Sequence, residues 1–350
     1  MLKQLKRAVL GTAKSAGIFS LVHESKWRRE KLLILAYHGV ALKDEDQWKP
    51  EMFLPQDYFR KRLLLIRRLG CSVVSLSEAL ERLYAGTLRP RSVVLTFDDG
   101  NYDFYKQAYP VLKEFGFPTT VYLTTYHSYY NKPVFNMMSS YLLWKGRHTS
   151  VNLKEFTGTD LKFELTTEMA RTAAWRALLD LAGREKLSAE AKEDISARLA
   201  KKLHVDYDEI LHKRILHIMT PEEVQQIASE GVDVQLHSHR HRTPPDPRRF
   251  AREIEDNRNS IQAMTSRYAT HFCYPSGFHR ETYPLWLREL NVESATTCEA
   301  GIATPRSNPF LLPRLVDGSH LSAVEFEGWL TGVSAILPQR RAEVGRLPRT

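Results

Sequence analysis

Cysteine is scarce in this 350-residue chain: Cys71, Cys273 and Cys298 are the only three. An odd count without paired spacing excludes a disulfide framework, and the lack of any C-x-x-C excludes a zinc ribbon. Sparse thiols of this kind fit a reducing, cytoplasmic setting. No apolar run approaches the roughly 18 residues that span a bilayer. The central part of the chain also lacks excess charge. The formal net charge is +9, but it sits at the ends. Residues 1–31 hold eight basic side chains against Glu24 and Glu30, and residues 339–350 hold Arg340, Arg341, Arg346 and Arg349 against Glu343. Residues 32–338 are therefore formally neutral, which argues against nucleic acid as a partner of the fold itself. The basic ends leave two readings open: contact with an anionic surface, or solvated tails.

The N-terminus repeats Leu2, Leu5, Val9, Ala13 and Ala16 at helical spacing with lysines between them. Lys14 interrupts a signal-peptide core and no A-x-A site follows, so the segment reads as a short basic amphipathic helix rather than a cleaved signal. Such a helix either lies peripherally on a membrane surface or packs on the body of the fold.

Beyond it, apolar runs alternate with amphipathic stretches. Strands are expected at 32–37, 72–74, 93–97, 119–123, 232–236, 271–274, 292–297 and 310–315. Helices are expected at 56–69, 77–84 (capped by Ser75), 103–115, from the capping box Thr220-Pro221-Glu222-Glu223 to Gly231, and at 248–266, 281–290 and 322–336. Residues 127–219, with long helical stretches at 167–182 and 188–203, break this rhythm and read as a helical insertion that serves as a lid or packing element. Strands alternating with helices imply a parallel sheet with crossovers, whose functional residues gather past the carboxyl ends of the strands. Four polar clusters fall at such ends: His38, Asp98-Asp99, His237 to His241, and Tyr274 to Gly277. Four coincidences point to one shared site.

Each cluster has its own chemistry. Adjacent carboxylates after a buried strand repel each other, and a cation relieves that repulsion. One can then bind metal while the other takes a proton from water. A plain Asp-Gly turn is the competing reading. His237 and His241, spaced H-x-x-x-H, reach the same side, and two histidines with one carboxylate leave open metal positions. His239 faces the other way and falls outside that set. Tyr274, Pro275 and Gly277 form a rigid turn that could wall a sugar pocket and offer an N–H to an oxyanion, or could be an ordinary strand exit.

Thr96-Phe97-Asp98-Asp99-Gly100 resembles the first motif of the polysaccharide deacetylase (NodB-homology) family, carbohydrate esterase family four. His237-Ser238-His239-Arg240-His241 resembles its second motif, H-[ST]-x-x-H, and Phe272 to Gly277 its third, F-x-Y-P-x-G. The resemblance spans residues 32–317, interrupted by the insertion. It implies a distorted (β/α)₇ barrel over 32–338, between the 1–31 extension and a basic tail at 339–350. It implies that Asp99, His237 and His241 bind a divalent metal and that Asp98 is the catalytic base. Zinc is the default for such ligands, with cobalt, nickel or iron also compatible. The family's late L-x-H-D motif, which supplies the general acid, is missing after residue 277, where His320 sits in Gly-Ser-His. The circularly permuted poly-N-acetylglucosamine deacetylase branch carries that strand early, which assigns the acid to His38. No arginine stands in the third motif, and Arg314 is the candidate to orient Asp98. The implied activity is hydrolysis of N-acetyl groups on an amino-sugar glycan, such as an exopolysaccharide. The alternatives are an O-acetyl esterase or other C–N hydrolase, or an inactive carbohydrate-binding protein.

Overall fold

The computed structural model describes residues 2–337, so the basic tail at 339–350 lies outside the described residues. Seven short strands form the main path of an eight-stranded sheet: β1 (Leu33–Tyr37), β2 (Ser92–Phe97), β3 (Thr119–Leu123), β4 (Asp233–Leu236), β5 (His271–Cys273), β6 (Ser294–Thr296) and β7 (Leu315–Val316), with the two-residue strand Ser72–Val73 pairing in parallel with the start of β2 off that path. The seven pair in parallel in the order β6-β5-β4-β3-β2-β1-β7. The two ends of this sheet meet: the Thr297 N–H donates to the Leu312 carbonyl and the Leu312 N–H to the Ala295 carbonyl, both at 2.9 Å. The result is the distorted seven-stranded α/β barrel expected from the sequence, with helices outside it. The chain's first strand lies between β2 and its last strand, which brings His38 into the ring of strand ends.

Side-chain alternation along the strands sorts the residues into two shells. Leu33, Leu35, Tyr37, Val93, Leu95, Phe97, Val121, Leu123, Val234, Leu236, Phe272 and Tyr274 face the helices and form the main core. The other set, Ile34, Val94, Tyr122 and Cys273 among them, fills the barrel interior. His38, Asp98 and His237 continue the inward set by one step past Ala36, Thr96 and Gln235. They therefore project toward the barrel axis at its carboxyl end.

Several boundaries move. The expected helix 103–115 begins as a π-helical stretch, Phe104–Ala108, before the α-helix Tyr109–Phe115. The last strand lies at Leu315–Val316 rather than 310–315. The last helix breaks into Ala323–Thr331 and Val333–Ile336 at Gly332, whose φ of 92° ends the first piece. The insertion is mostly helical, as expected, with Glu168–Arg184 and Ala189–Lys202 as its long helices. It also contains the helix Phe135–Lys145 and a hairpin pairing Ser150–Asn152 with Lys162–Glu164. It has its own apolar core, built on Met138, Leu142, Leu178, Leu199 and Ile210 and reaching Phe53 beside β1.

The basic N-terminal segment is a helix, Leu2–Ser15, that packs against the helix Ala323–Thr331. Leu10 is buried against Phe19 and Val333. Arg7 Nε lies 2.8 Å from Glu325 Oε2 and Lys14 Nζ 2.6 Å from Glu327 Oε2. Arg28 is buried and donates to the carbonyls of Leu330 and Lys31. Several charges of this segment thus act within the fold, while Leu5 and Val9 stay exposed on the opposite side of the helix. No described helix is long and apolar enough to cross a membrane.

Candidate active site at the strand ends

Asp98 follows β2 directly, and its N–H donates to the Tyr37 carbonyl at 2.8 Å. The chain then reverses through two left-handed residues, Asp99 at φ 68° and Gly100 at φ 80°. This reversal turns the two adjacent carboxylates apart, so each meets a different partner.

Asp98 meets Arg314. The guanidinium is fully buried and makes a two-point contact, Nη1 to Oδ1 at 2.7 Å and Nη2 to Oδ2 at 2.8 Å. Arg314 is itself held by the Thr297 carbonyl at 2.9 Å and the Thr96 hydroxyl at 3.1 Å. Burial alone would raise the Asp98 pKa, but the charge and hydrogen bonds of Arg314 outweigh it and hold the carboxyl at about 2. Arg314 is thus the side chain that grips Asp98. His38 Nε2 lies 4.0 Å from Asp98 Oδ2, and the His38 carbonyl accepts from Asn101 Nδ2 at 3.2 Å.

Asp99 meets the two histidines. His237 Nε2 and His241 Nε2 each lie 3.2 Å from Asp99 Oδ1, and ligand atoms of all three residues fall within 4.8 Å of one another. His237 Nδ1 donates to the Cys273 carbonyl at 2.9 Å. In the neutral ring this places the proton on Nδ1 and the lone pair on Nε2, facing a carboxylate oxygen. Two acceptors so close call for a cation between them, which the donor set Asp/His/His fits as a divalent metal site. Burial would raise Asp99 and lower His237, but the charge of His241 and the hydrogen bonds of both histidines hold Asp99 well below the usual range, and the contact with Asp99 together with the charge of Asp98 lifts His237 above its ordinary value. Asp98, His237 and Cys273 form a second close group. There Arg314 already occupies the carboxylate, and burial pushes the Cys273 thiol well above its ordinary pKa, so it stays protonated.

The loop carrying His241 has its own bracing. Ser238 and His241 take left-handed backbone, φ 58° and 54°, and the Ser238 hydroxyl accepts from the Arg242 N–H at 2.8 Å. His239 points elsewhere, its Nδ1 hydrogen-bonded with the Thr125 hydroxyl at 2.8 Å. His320 is bonded through Nδ1 with the Pro50 carbonyl at 3.2 Å.

The third cluster departs from expectation. Tyr274 belongs to the outward set of β5 and is buried among Phe272, Tyr283 and His279. Its N–H donates to the Thr296 carbonyl at 3.1 Å, and the Gly277 N–H to the Tyr274 carbonyl at 2.8 Å. Pro275 is buried and has no N–H. The N–H groups of Tyr274 and Gly277 are thus engaged within the protein and Pro275 has none, while the Tyr274 ring packs among the aromatic rings behind β5.

A profile described as polysaccharide deacetylase matches residues 85–180 and 194–295, more than half of the chain. The chain belongs to the polysaccharide deacetylase family. A poly-beta-1,6-N-acetyl-D-glucosamine N-deacetylase of Escherichia coli (strain K12) is 31% identical over 100 residues, covering 28% of this chain and 15% of that protein. Among solved structures, the deacetylase PplD of Streptococcus pyogenes aligns with a TM-score of 0.53 and 19% identity, over 81% of this chain and 91% of that one. IcaB from Ammonifex degensii aligns with a TM-score of 0.53 and 17% identity, over 87% and 97%. At these identities the two structures speak to the fold.

Two further participants in the site escaped the sequence reading. Asn257, on the helix Pro247–Thr265, accepts from the His237 N–H at 2.8 Å and donates to the Leu123 carbonyl and the Thr125 hydroxyl. It fastens the second motif to the end of β3. The Cys273 thiol donates to Asp98 Oδ2 at 3.5 Å, and its inward parity on β5 was the available signal.

Proposed function

We propose that this polysaccharide deacetylase is a divalent-metal-dependent hydrolase that removes N-acetyl groups from an amino-sugar glycan. The observation that carries the reading is the division of labour between the two neighbouring aspartates: one sits in a metal-type triad, the other is clamped by Arg314 as an ionised carboxylate 4.0 Å from a histidine. The name of the Escherichia coli relative supports the amide bond and the N-acetylated amino sugar. Zinc suits the ligand set best, with cobalt, nickel and iron as compatible alternatives.

Asp99, His237 and His241 would hold a divalent cation, which would supply Lewis acidity toward the acetamide carbonyl and the attacking water. Asp98, ionised and fixed by Arg314, accepts the proton released as the water oxygen bonds to the carbonyl carbon. His38 serves the other half. Burial lowers its pKa, partly opposed by Asp98 and Asp99, so the resting imidazole is neutral. It must gain a proton before acting as an acid, and the Asp98 carboxyl, 4.0 Å from its Nε2, is near enough to pass one on through a single intervening water. His38 then protonates the sugar nitrogen as the C–N bond breaks, giving acetate and a free amine.

Acetate release from N-acetylated and O-acetylated glycans, before and after chelation, tests the reading. Release from the N-acetylated glycan should cease with chelator and return with zinc. Full activity in verified metal-free protein would sink the mechanism, and exclusive action on O-acetyl groups would make the protein an esterase. His241→Ala should lower bound metal sharply, because it removes one of three protein ligands.

A further inference from the structure

The two basic ends of the chain converge on one side of the molecule. The helix Leu2–Ser15 and the next helix, Ile18–Glu24, both pack against Ala323–Thr331. The last described helix, Val333–Ile336, packs on Ile18–Glu24, and Leu337 joins the small apolar cluster of Leu10, Phe19 and Val333. The arginine-rich stretch 339–350 thus continues the chain from a point beside the N-terminal helices. No acidic residue precedes Glu24. Glu24 is engaged by Arg29 and Arg91, and Glu325 and Glu327 by Arg7 and Lys14. Lys6 makes no ion pair among the described residues. Lys26, whose side chain is 89% exposed, has Glu30 at 3.7 Å. With the body of the chain formally neutral, this side carries the excess positive charge.

Between those charges the surface is apolar. On Leu2–Ser15 the fold is met by Arg7, Leu10 and Lys14. Helical spacing then turns Leu5, Val9, Thr12 and Ala16 away from the fold, and all four are exposed. Gly17, at φ 77°, bends the chain, and Leu21 lines a shallow crease together with Ala16. Leu5 is 60% and Leu21 73% exposed, and Val9, Ile18 and Trp27 are exposed as well. Single apolar side chains on a surface are ordinary, whereas this many within one short segment mark a contact. Charge selects the partner. A two-fold contact with a second copy would set these cations against themselves, while anionic headgroups would neutralise them. We propose that the outward side of residues 2–27, with the basic tail, docks on a lipid bilayer rich in anionic headgroups. Leu5, Val9, Ile18 and Leu21 enter the acyl boundary, and the surrounding cations rest on the headgroups. Arg7 Nη2 donates to the His320 carbonyl at 3.0 Å, and the His320 N–H to the Pro50 carbonyl in the loop that follows His38. The start of the docking helix therefore flanks the end of the barrel that carries the candidate active site.

Co-sedimentation of the full-length protein with vesicles tests the surface without reference to turnover. The probes are vesicles of phosphatidylcholine alone and of phosphatidylcholine mixed with phosphatidylglycerol. Affinity for the mixed vesicles should exceed that for the neutral ones by about tenfold or more, and the preference should shrink as salt is raised. Leu21→Asp and, separately, Val9→Asp should each weaken binding about tenfold, because each removes an apolar contact and brings an anion to the headgroups. Leu285→Asp, at an exposed position on the helix Tyr283–Glu289 outside this surface, should leave binding unchanged. Thermal melts of the three variants check that the fold persists. No binding to mixed vesicles, equal binding to both kinds, or equal losses in Leu21→Asp and Leu285→Asp would overturn the proposal. So would a lipid-independent dimer that Leu21→Asp dissolves in a protein that ignores vesicles, since a second copy would then cover the face.

Discussion

At Asp98 the balance of forces is legible in a single side chain. Burial disfavours its charge, and the two-point contact with Arg314 restores it, leaving the folded pKa at about 2. The ordinary aspartate value is near 4. A depressed carboxylate pKa stabilises the fold above the unfolded value, and the contribution disappears as pH falls through the folded value. The pair is therefore fully effective above about pH 4 and lost toward pH 2. Its contribution at neutral pH is on the order of 2 kcal/mol. Arg314→Met should lower the Tm at pH 7, and the gap from the parent should narrow as the melts are repeated toward pH 2. A gap independent of pH would show that Arg314 acts through packing rather than charge. The same variant leaves Asp98 buried without a counter-charge, so the acid limb of kcat/KM should move to higher pH. Asp98→Asn should retain metal while turnover falls by roughly 10²–10⁴-fold, the range for loss of a general base. Metal analysis beside acetate release checks both halves.

At the scale of strands and turns, the sequence disclosed more than its motifs. Once Val94 and Thr96 are inward, Asp98 must be inward, and the same count along β1 and β4 delivers His38 and His237. That count also bears on the third cluster: Cys273 faces the barrel axis, so Tyr274 faces the helices, and its polar-looking context did not outweigh strand parity. The insertion's hairpin was less legible, because three-residue strands with exposed side chains such as Lys162 and Glu164 leave little alternation to read. Asn257 could not be placed in advance, since its partners lie 20 and 134 residues away. Turn chemistry was readable at Gly100. Its φ of 80° and the 2.2 Å from an added Cβ to Leu123 Cδ1 leave no room for a side chain. Gly231 shares the positive φ, 102°, but opens on empty space. Gly100→Ala should weaken metal binding by displacing Asp99, whereas Gly231→Ala should cost stability and leave metal affinity unchanged. Equal metal affinity in the two variants would show that Asp99 tolerates a shift of its turn.

For the molecule as a whole, four separate stretches must be folded before the metal-type site exists. Asp99 follows β2, and His237 and His241 lie on a loop some 140 residues later, beyond the insertion. Asn257 and the Cys273 carbonyl then fix His237 from two further elements. An unfolded chain cannot assemble this set, so metal binds the folded state and stabilises it by mass action. At a free metal concentration 100-fold above Kd the gain is about 2.7 kcal/mol. For a chain of this size that corresponds to a rise in Tm of several degrees. Scanning calorimetry of the chelated protein with graded zinc should therefore show a Tm that climbs with the logarithm of free zinc. His241→Ala should flatten that climb while leaving the metal-free Tm near the parent value, because the half-exposed His241 ring contributes little to the core. Zinc-dependent stabilisation that persists undiminished in His241→Ala would place the ion on other residues, and Asp98, His237 and Cys273 would be the group to test next.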